Sequence, residues 1–361
     1  AAAIRLQAQG HDVTIVEKLD GPGGRAYVFR RDGFTFDAGP TIVTAPWILD
    51  AIFEAAGART ADYVSLVQCD PFYNVRFDDG SVFRYNANLE ELRAQVAAFN
   101  PADVAGFERF RAAAKDICKA GMALIDVPFH RLLPMLKVAP ELMRLRADRS
   151  VAQLAAHHLR DERLQQVFSF HPLLVGGNPF GASAMYALIH YLEQQWGVWF
   201  AMGGTGALVR VLVRCFEELG GEIRYGAEVG EVLLSPDMKR TTGVKLVDGT
   251  RLPADHVVCN GDISQSYRTL IPEAARPHMR DRKIARYRQS MSLFVIYFGT
   301  NRTYPDMAHH EILLGPRYRG LLEDIFERKV LADDFSLYLH RPTATDPSLA
   351  PPGCDAFYVL S

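Results

Sequence analysis

Residues 11–40 read HDVTIVEKLDGPGGRAYVFRRDGFTFDAGP, and the organisation of the chain follows from this stretch. Val13, Ile15 and Val16 form a short apolar, β-branched run that closes on Glu17. That is the pattern of a buried parallel strand with an acid at its carboxyl end. Upstream, residues 1–9 are rich in helix formers and Gly10 stands where a helix C-cap belongs. In a doubly wound α/β sheet, a carboxylate at such a strand end accepts hydrogen bonds from the ribose hydroxyls of a dinucleotide. Gly21, Gly23, Gly24 and Arg25 follow at once, a turn whose backbone can come close to a ligand and offer amide donors to phosphate. The glycine fingerprint that belongs between the first strand and the first helix is not in the sequence, which opens inside what reads as that helix. A solvated strand end followed by an ordinary turn is the alternative reading.

Across 361 residues the chain is 48% hydrophobic and 23% charged, ordinary for a globular protein with two or three domain-sized cores. Its formal net charge of −2 argues against a general nucleic-acid binder, since no excess of positive charge is available to displace counterions. The five cysteines, at 69, 118, 215, 259 and 354, include no CxxC pair, so neither a disulfide framework nor a zinc cluster is indicated and a reducing, cytoplasmic setting fits. No apolar run approaches the 18 or more residues of a membrane span. The opening in mid-helix and the apolar strand at the close predict a piece of a longer protein.

Farther along, residues 27–36 read as a hairpin through Arg31-Asp32-Gly33 and residues 73–85 as another around Asp79-Gly80. Asp37 is open to two readings, a turn cap or a neighbour of a ligand. Asn100-Pro101 begins a helix with apolar Val104, Phe107, Ala114, Ile117 and Cys118 at helical spacing. Residues 127–149 mix Leu and Met with bases, a segment suited either to a bilayer surface or to a packed hairpin, broken into short turns by Pro134 and Pro140. His171, the one ionisable group in an aromatic and glycine-rich run, reads as a hydrogen-bonded core histidine. Gly203-Gly204-Thr205-Gly206, a helix, Gly220-Gly221 and a strand at residues 222–225 repeat the order of residues 1–17, so the two halves are expected to share one sheet. Residues 256–260 read as a buried strand. Residues 292–299, 335–340 and 357–360 read as strands of a second sheet that takes in the 73–85 hairpin. His309-His310 lacks spaced ligand companions and reads as loop, with no metal site expected.

Several motifs resemble those of bacterial and fungal phytoene desaturases: Glu17 with Gly23-Gly24-Arg25-Ala26, then Phe36-Asp37-Ala38-Gly39-Pro40, and Val175-Gly176-Gly177-Asn178-Pro179-Phe180. Trp196-Gly197-Val198-Trp199-Phe200, Gly203-Gly204-Thr205-Gly206-Ala207-Leu208 and Gly315-Pro316-Arg317-Tyr318 complete the set. The first and the Gly-Gly-Thr-Gly motif are shared with amine oxidases and other flavoproteins. The resemblance implies an α/β, amine-oxidase-like flavoprotein: a Rossmann-like FAD-binding domain, a mixed-sheet substrate domain and a helical, membrane-facing insertion. It implies FAD, a long-chain polyene hydrocarbon as substrate, and stepwise dehydrogenation of 15-cis-phytoene towards lycopene by a cytoplasmic enzyme peripheral on the membrane. By position, Glu17 and Lys18 would meet the adenosine ribose, while Gly23, Gly24, Arg25 and Ala26 would face the pyrophosphate and ribitol. Gly39, Pro40 and Thr41 would approach the flavin, and Val229 would hold the adenine by its backbone. The expected domains are residues 1–70 and 201–285 for FAD, 71–95 and 286–361 for the substrate sheet, and 96–200 for the insertion. A hydrocarbon offers no carbonyl or hydroxyl to polarise, so the cofactor carries the hard step and no acid/base set is expected. The alternatives are an isomerase or another polyene oxidoreductase, and a non-catalytic prenyl carrier such as the Rab GDP-dissociation inhibitors, which resemble this fold.

Overall fold

In the computed structural model, residues 1–124, 132–287 and 289–361 are described. Two compact units divide the chain. One comprises Ala1–Tyr27, Leu49–Val64 and Gly206–Gln289; the other comprises Val28–Ile48, Ser65–Thr205 and Ser290–Ser361.

The first unit is built on a parallel pair of short strands. Helix Ala2–Ala8 is followed by Gly10 at φ 89°, the left-handed residue that ends it and turns the chain into strand Thr14–Val16. That strand pairs in parallel with Glu222–Arg224, which the repeated order of helix, glycine and strand predicts. Their core is small: Ile4, Ile52, Phe53, Cys215 and Phe216. An antiparallel meander, Val229–Leu234, Thr241–Leu246 and Arg251–Pro253, follows. The buried strand expected at residues 256–260 is irregular chain, with Val258 66% exposed. An apolar run becomes a strand only where another strand offers a ladder, and none does so here among the described residues.

The second unit is organised by a six-stranded mixed sheet. Its order is Val295–Gly299, Ala356–Leu360, Leu337–His340, His310–Leu314, Tyr73–Phe77, Val82–Tyr85. Every neighbouring pair is antiparallel except His310–Leu314 with Tyr73–Phe77, which is parallel. The reading of His309-His310 as loop holds for His309 and is corrected for His310, which opens a central strand whose burial is almost complete. Its sequence, HEILL, carries a polar first half that masks the strand signal; the charge of Glu311 is met by Arg76 at 2.6 Å across the sheet. Residues 28–48 belong with this sheet by packing, because Phe29 and Phe36 lie against Tyr297 at centroid distances of 5.3 and 5.9 Å. Their hairpin turns through Asp32 and Gly33 at φ 52° and 83°, the doubly left-handed turn that suits a two-residue connection.

Helices Leu89–Phe99, Val104–Ala123, Val151–His158 and Leu188–Trp196 contribute to the large core that also takes in the Tyr73–Phe77 and Val82–Tyr85 strands. Asn100 accepts from the Ala102 amide and caps the 3₁₀ turn Pro101–Asp103, which runs straight into the second of these helices. Asp103, buried beside it, accepts from the Arg160 and Asp161 amides, both at 2.8 Å. Residues 125–131, which include the start of the basic, apolar stretch, lie outside the described residues. Beyond them Leu132–Arg144 is one helix and residues 145–149 are turn, so the breaks expected at Pro134 and Pro140 do not occur. Pro134 falls in the first turn, whose amides have no intrahelical acceptor, and Pro140 forfeits a single bond inside the helix.

Several polar groups enter this core with a partner beside them. Glu193, fully buried, accepts from the Tyr73 hydroxyl at 2.8 Å and meets His171 Nε2 at 3.0 Å. His171 is thus held as a core residue, and the partner that holds it sits a full helix away in the sequence. Tyr85 meets His190 Nδ1 at 2.5 Å. Burial drives the His190 pKa well below the ordinary 6.5, with His171 and Arg111 adding repulsion. A histidine kept neutral by the fold binds fewer protons than in the unfolded chain, so its contribution is whole above pH 6.5 and is lost as pH falls below it. Unfolding free energy from urea titrations should therefore drop as pH is lowered from 6.5. In His190→Gln that slope should flatten by about 1.4 kcal/mol per pH unit; equal slopes in the two proteins would refute the assignment.

Candidate cofactor site

The residues marked in the sequence fall into two sets, one in each unit. In the first unit, Glu17 stands just beyond strand Thr14–Val16. Its amide donates to the Arg224 carbonyl at 2.9 Å and its carbonyl accepts from the Ala227 amide at 2.8 Å. The parallel pairing therefore continues through Glu17 into the segment that leads to Val229, and both lie at the carboxyl end of the strand pair. Glu17 Oε1 accepts from the Leu19 amide at 2.9 Å, which orients the carboxylate while a second oxygen can accept from a ligand hydroxyl. Lys18 is exposed.

Downstream, Gly23 and Gly24 take φ values of 122° and 53°, and a single 3₁₀ turn, Gly24–Ala26, follows. A Cβ on Gly23 would stand 2.8 Å from the Ala26 carbonyl oxygen, so only glycine suits this bend. Arg25 is exposed on it and Ala26 is half-buried. A strand-end carboxylate, a glycine bend and an exposed guanidinium fit the ribose and pyrophosphate end of FAD, whose hydroxyls need acceptors and whose phosphates need donors.

The second set lies in the other unit. Asp37 ends strand Phe34–Asp37 and is buried; its Oδ2 accepts from the Thr205 amide at 2.8 Å. The Thr205 hydroxyl donates to the Pro40 carbonyl. Asp346 Oδ2 accepts from the Gly203 amide at 2.7 Å. Two motifs more than 160 positions apart are thereby strapped into one loop pair. Of the two readings of Asp37, the turn cap is the nearer, but the turn it caps belongs to the Gly-Gly-Thr-Gly motif. Sequence spacing holds no signal for that partnership.

Gly39 is half-buried and Pro40 exposed, while Thr41 is buried. The Thr41 hydroxyl lies 3.1 Å from the Tyr358 hydroxyl and 3.4 Å from that of Tyr338. Tyr338 goes on to His310 Nδ1 at 2.6 Å. Desolvation raises both phenols, Tyr358 to about 12, so these groups are neutral hydrogen-bonding surfaces at physiological pH. The aromatic motif at residues 196–200 is fixed by a 2.5 Å bond from Trp199 Nε1 to the Trp196 carbonyl and by Trp47 packed 4.4 Å from Trp196. In the last motif, Arg317 donates to Asp334 and Asp324, leaving Tyr318 buried behind it.

Gly204 is the most constrained of these positions. Its φ is 76°, and a Cβ there would collide with the Asp37 carboxylate. Gly204→Ala should cost about 2–4 kcal/mol through strain and loss of the Asp37 strap, read as a lowered urea midpoint at unchanged slope; a midpoint equal to the parent would sink this account.

Comparison with known proteins agrees with these motifs. Residues 1–353 match the flavin containing amine oxidoreductase family. The chain is 48% identical over 362 residues to the lycopene-forming phytoene desaturase of Pseudescherichia vulneris, covering all of this chain and 73% of that protein. It is 44% identical over 365 residues to the neurosporene-forming phytoene desaturase of Cereibacter sphaeroides, covering all of this chain and 70% of that protein. Among solved structures, a Pyrococcus furiosus protein superposes with a TM-score of 0.67 at 17% identity, over 99% of this chain and 76% of that one, a likeness of fold. The chain is an FAD-dependent oxidoreductase and belongs to the phytoene desaturase family of flavin-containing amine oxidoreductases.

Proposed function

We propose that this enzyme dehydrogenates 15-cis-phytoene stepwise towards lycopene. The observation that carries the reading is identity with phytoene desaturases along the whole chain. Each desaturation removes a hydride from one carbon and a proton from its neighbour, and bound FAD supplies the hydride acceptor. The work left to the polypeptide is to hold the cofactor, align an apolar chain and keep water out.

Within that reading Glu17 accepts from the adenosine ribose, with Lys18 beside it at the strand end. Gly23, Gly24, Arg25 and Ala26 face the pyrophosphate and ribitol, and the Val229 backbone holds the adenine. Gly39, Pro40 and Thr41 border the flavin. Residues 1–70 and 201–285 serve the cofactor, residues 71–95 and 286–361 the substrate, and residues 96–200 form a helical lid towards the bilayer. The buried hydroxyls and neutral histidines around Thr41 suit a site that must not quench a developing allylic cation with an ionised nucleophile.

The decisive assay combines the protein, FAD and phytoene in liposomes and follows visible absorbance. A growing, lengthening polyene absorption is the expected result. A change of double-bond geometry alone would replace this reading with an isomerase, and unchanged phytoene at full FAD occupancy would replace it with a carrier.

We further propose that the enzyme works peripherally on the membrane, where its hydrocarbon substrate dissolves. No described helix is long and apolar enough to cross a bilayer. Helix Leu132–Arg144 nevertheless exposes Leu136 at 59% and Met143 at 77%, with Lys137 also exposed, which supports an interfacial role. Replacing both residues, Leu136→Asp with Met143→Asp, should weaken vesicle binding about tenfold or more, since burying one such side chain is worth roughly 1.5–3 kcal/mol. Flotation equal to the parent would refute this.

A further inference from the structure

The parallel register of Tyr73–Phe77 with His310–Leu314 sets Glu311 opposite Asn74. It therefore carries His309 and His310 to the segment just ahead of Tyr73, where Cys69 lies. One ligand atom from each of Cys69, His309 and His310 falls within 4.8 Å of the others, and all three residues are buried. Their surroundings have the form of a ligand set. His310 is fully buried; its Nδ1 is taken by the Tyr338 hydroxyl at 2.6 Å, and its Nε2 has no hydrogen-bond partner. His309 Nδ1 is held by the Thr345 hydroxyl at 2.6 Å, which leaves Nε2 to face His340 Nε2 at 3.0 Å. A buried imidazole nitrogen without a partner is costly, and His310, one of the three clustered residues, carries one.

We propose that Cys69, His309 and His310 form a binding site for a zinc-type divalent cation. Nothing in the desaturation reading requires it. Thiolate and imidazole ligands select d-block ions over calcium or magnesium, and three protein ligands leave a fourth position for water. On binding, the Cys69 thiol releases its proton and His309 gives up its bond to His340. Both ligand histidines stay neutral, their Nδ1–H groups donating to Thr345 and Tyr338, the outer-shell bonds that fix an imidazole for a metal.

The charge balance is workable. A dication with one thiolate leaves a single net positive charge, and the nearby Arg341 is already offset by Asp355 at 3.1 Å. The ion would clamp the entry to strand Tyr73–Phe77 against the start of its parallel neighbour.

The test uses the protein purified without chelator. About one zinc per chain is expected by elemental analysis, with X-ray absorption giving one sulfur at about 2.3 Å and nitrogens at about 2.0–2.1 Å. Cobalt added to zinc-stripped protein should produce intense four-coordinate bands in the red, beyond the flavin absorption. Cys69→Ser and His310→Gln should each weaken cobalt binding tenfold or more, with far-ultraviolet circular dichroism confirming that both fold. Wild-type protein that carries no zinc and gives no such bands overturns the site, whatever the variants do. So does metal retained undiminished in both variants.

Discussion

The parallel ladder between Tyr73–Phe77 and His310–Leu314 is the constraint on which the larger unit depends. It is the one parallel pairing in an otherwise antiparallel sheet, and it joins segments more than 230 positions apart. Parallel strands cannot be closed by a turn, so the intervening chain must leave the sheet and come back. In doing so it supplies the helices whose core surrounds Tyr73 and Tyr85. The same register decides which polar groups meet. Glu311 finds Asn74 and Arg76, and His309 and His310 come to Cys69. Shifting the His310–Leu314 strand by a residue would turn its side chains to the opposite face and break these meetings.

Around this frame the polar interior is economical. Glu193 serves Tyr73 and His171, Asp37 serves Thr205, Asp103 serves two amides, and Asp355 serves Arg341 and Thr343. Each is a buried carboxylate whose oxygens are used by groups distant in sequence. A buried acid is costly alone and stabilising when its donors are fixed. These residues therefore specify how loops and helices close on the sheet while the aromatic core supplies most of the favourable burial.

Much of the architecture was legible in short windows. The hairpins at residues 28–37 and 73–85, the helix entered through Asn100-Pro101, the left-handed Gly10 and the strand closing on Glu17 are each written within a few residues, because turn geometry, caps and strand periodicity are local. Motif resemblance carried the reading to FAD and to the desaturase family. Local windows misled where a segment's state depends on a distant partner. Residues 256–260 have the composition of a strand without a ladder. The sequence HEILL has a polar start but lies in the middle of a sheet, and two prolines expected to break residues 132–144 sit where one helix tolerates them.

By itself, then, the sequence determined the kinds of element, the glycine bends at Gly23 and Gly24, the acid that ends the first strand and the kinship with flavin-dependent desaturases. Only the tertiary structure decided that Asp37 holds the Gly-Gly-Thr-Gly turn, that Glu193 holds His171, and that Cys69 lies with His309 and His310. The physical reason is that backbone conformation is set by interactions over a few residues, whereas side-chain company is set by strand register and packing between segments hundreds of residues apart, which no local pattern encodes.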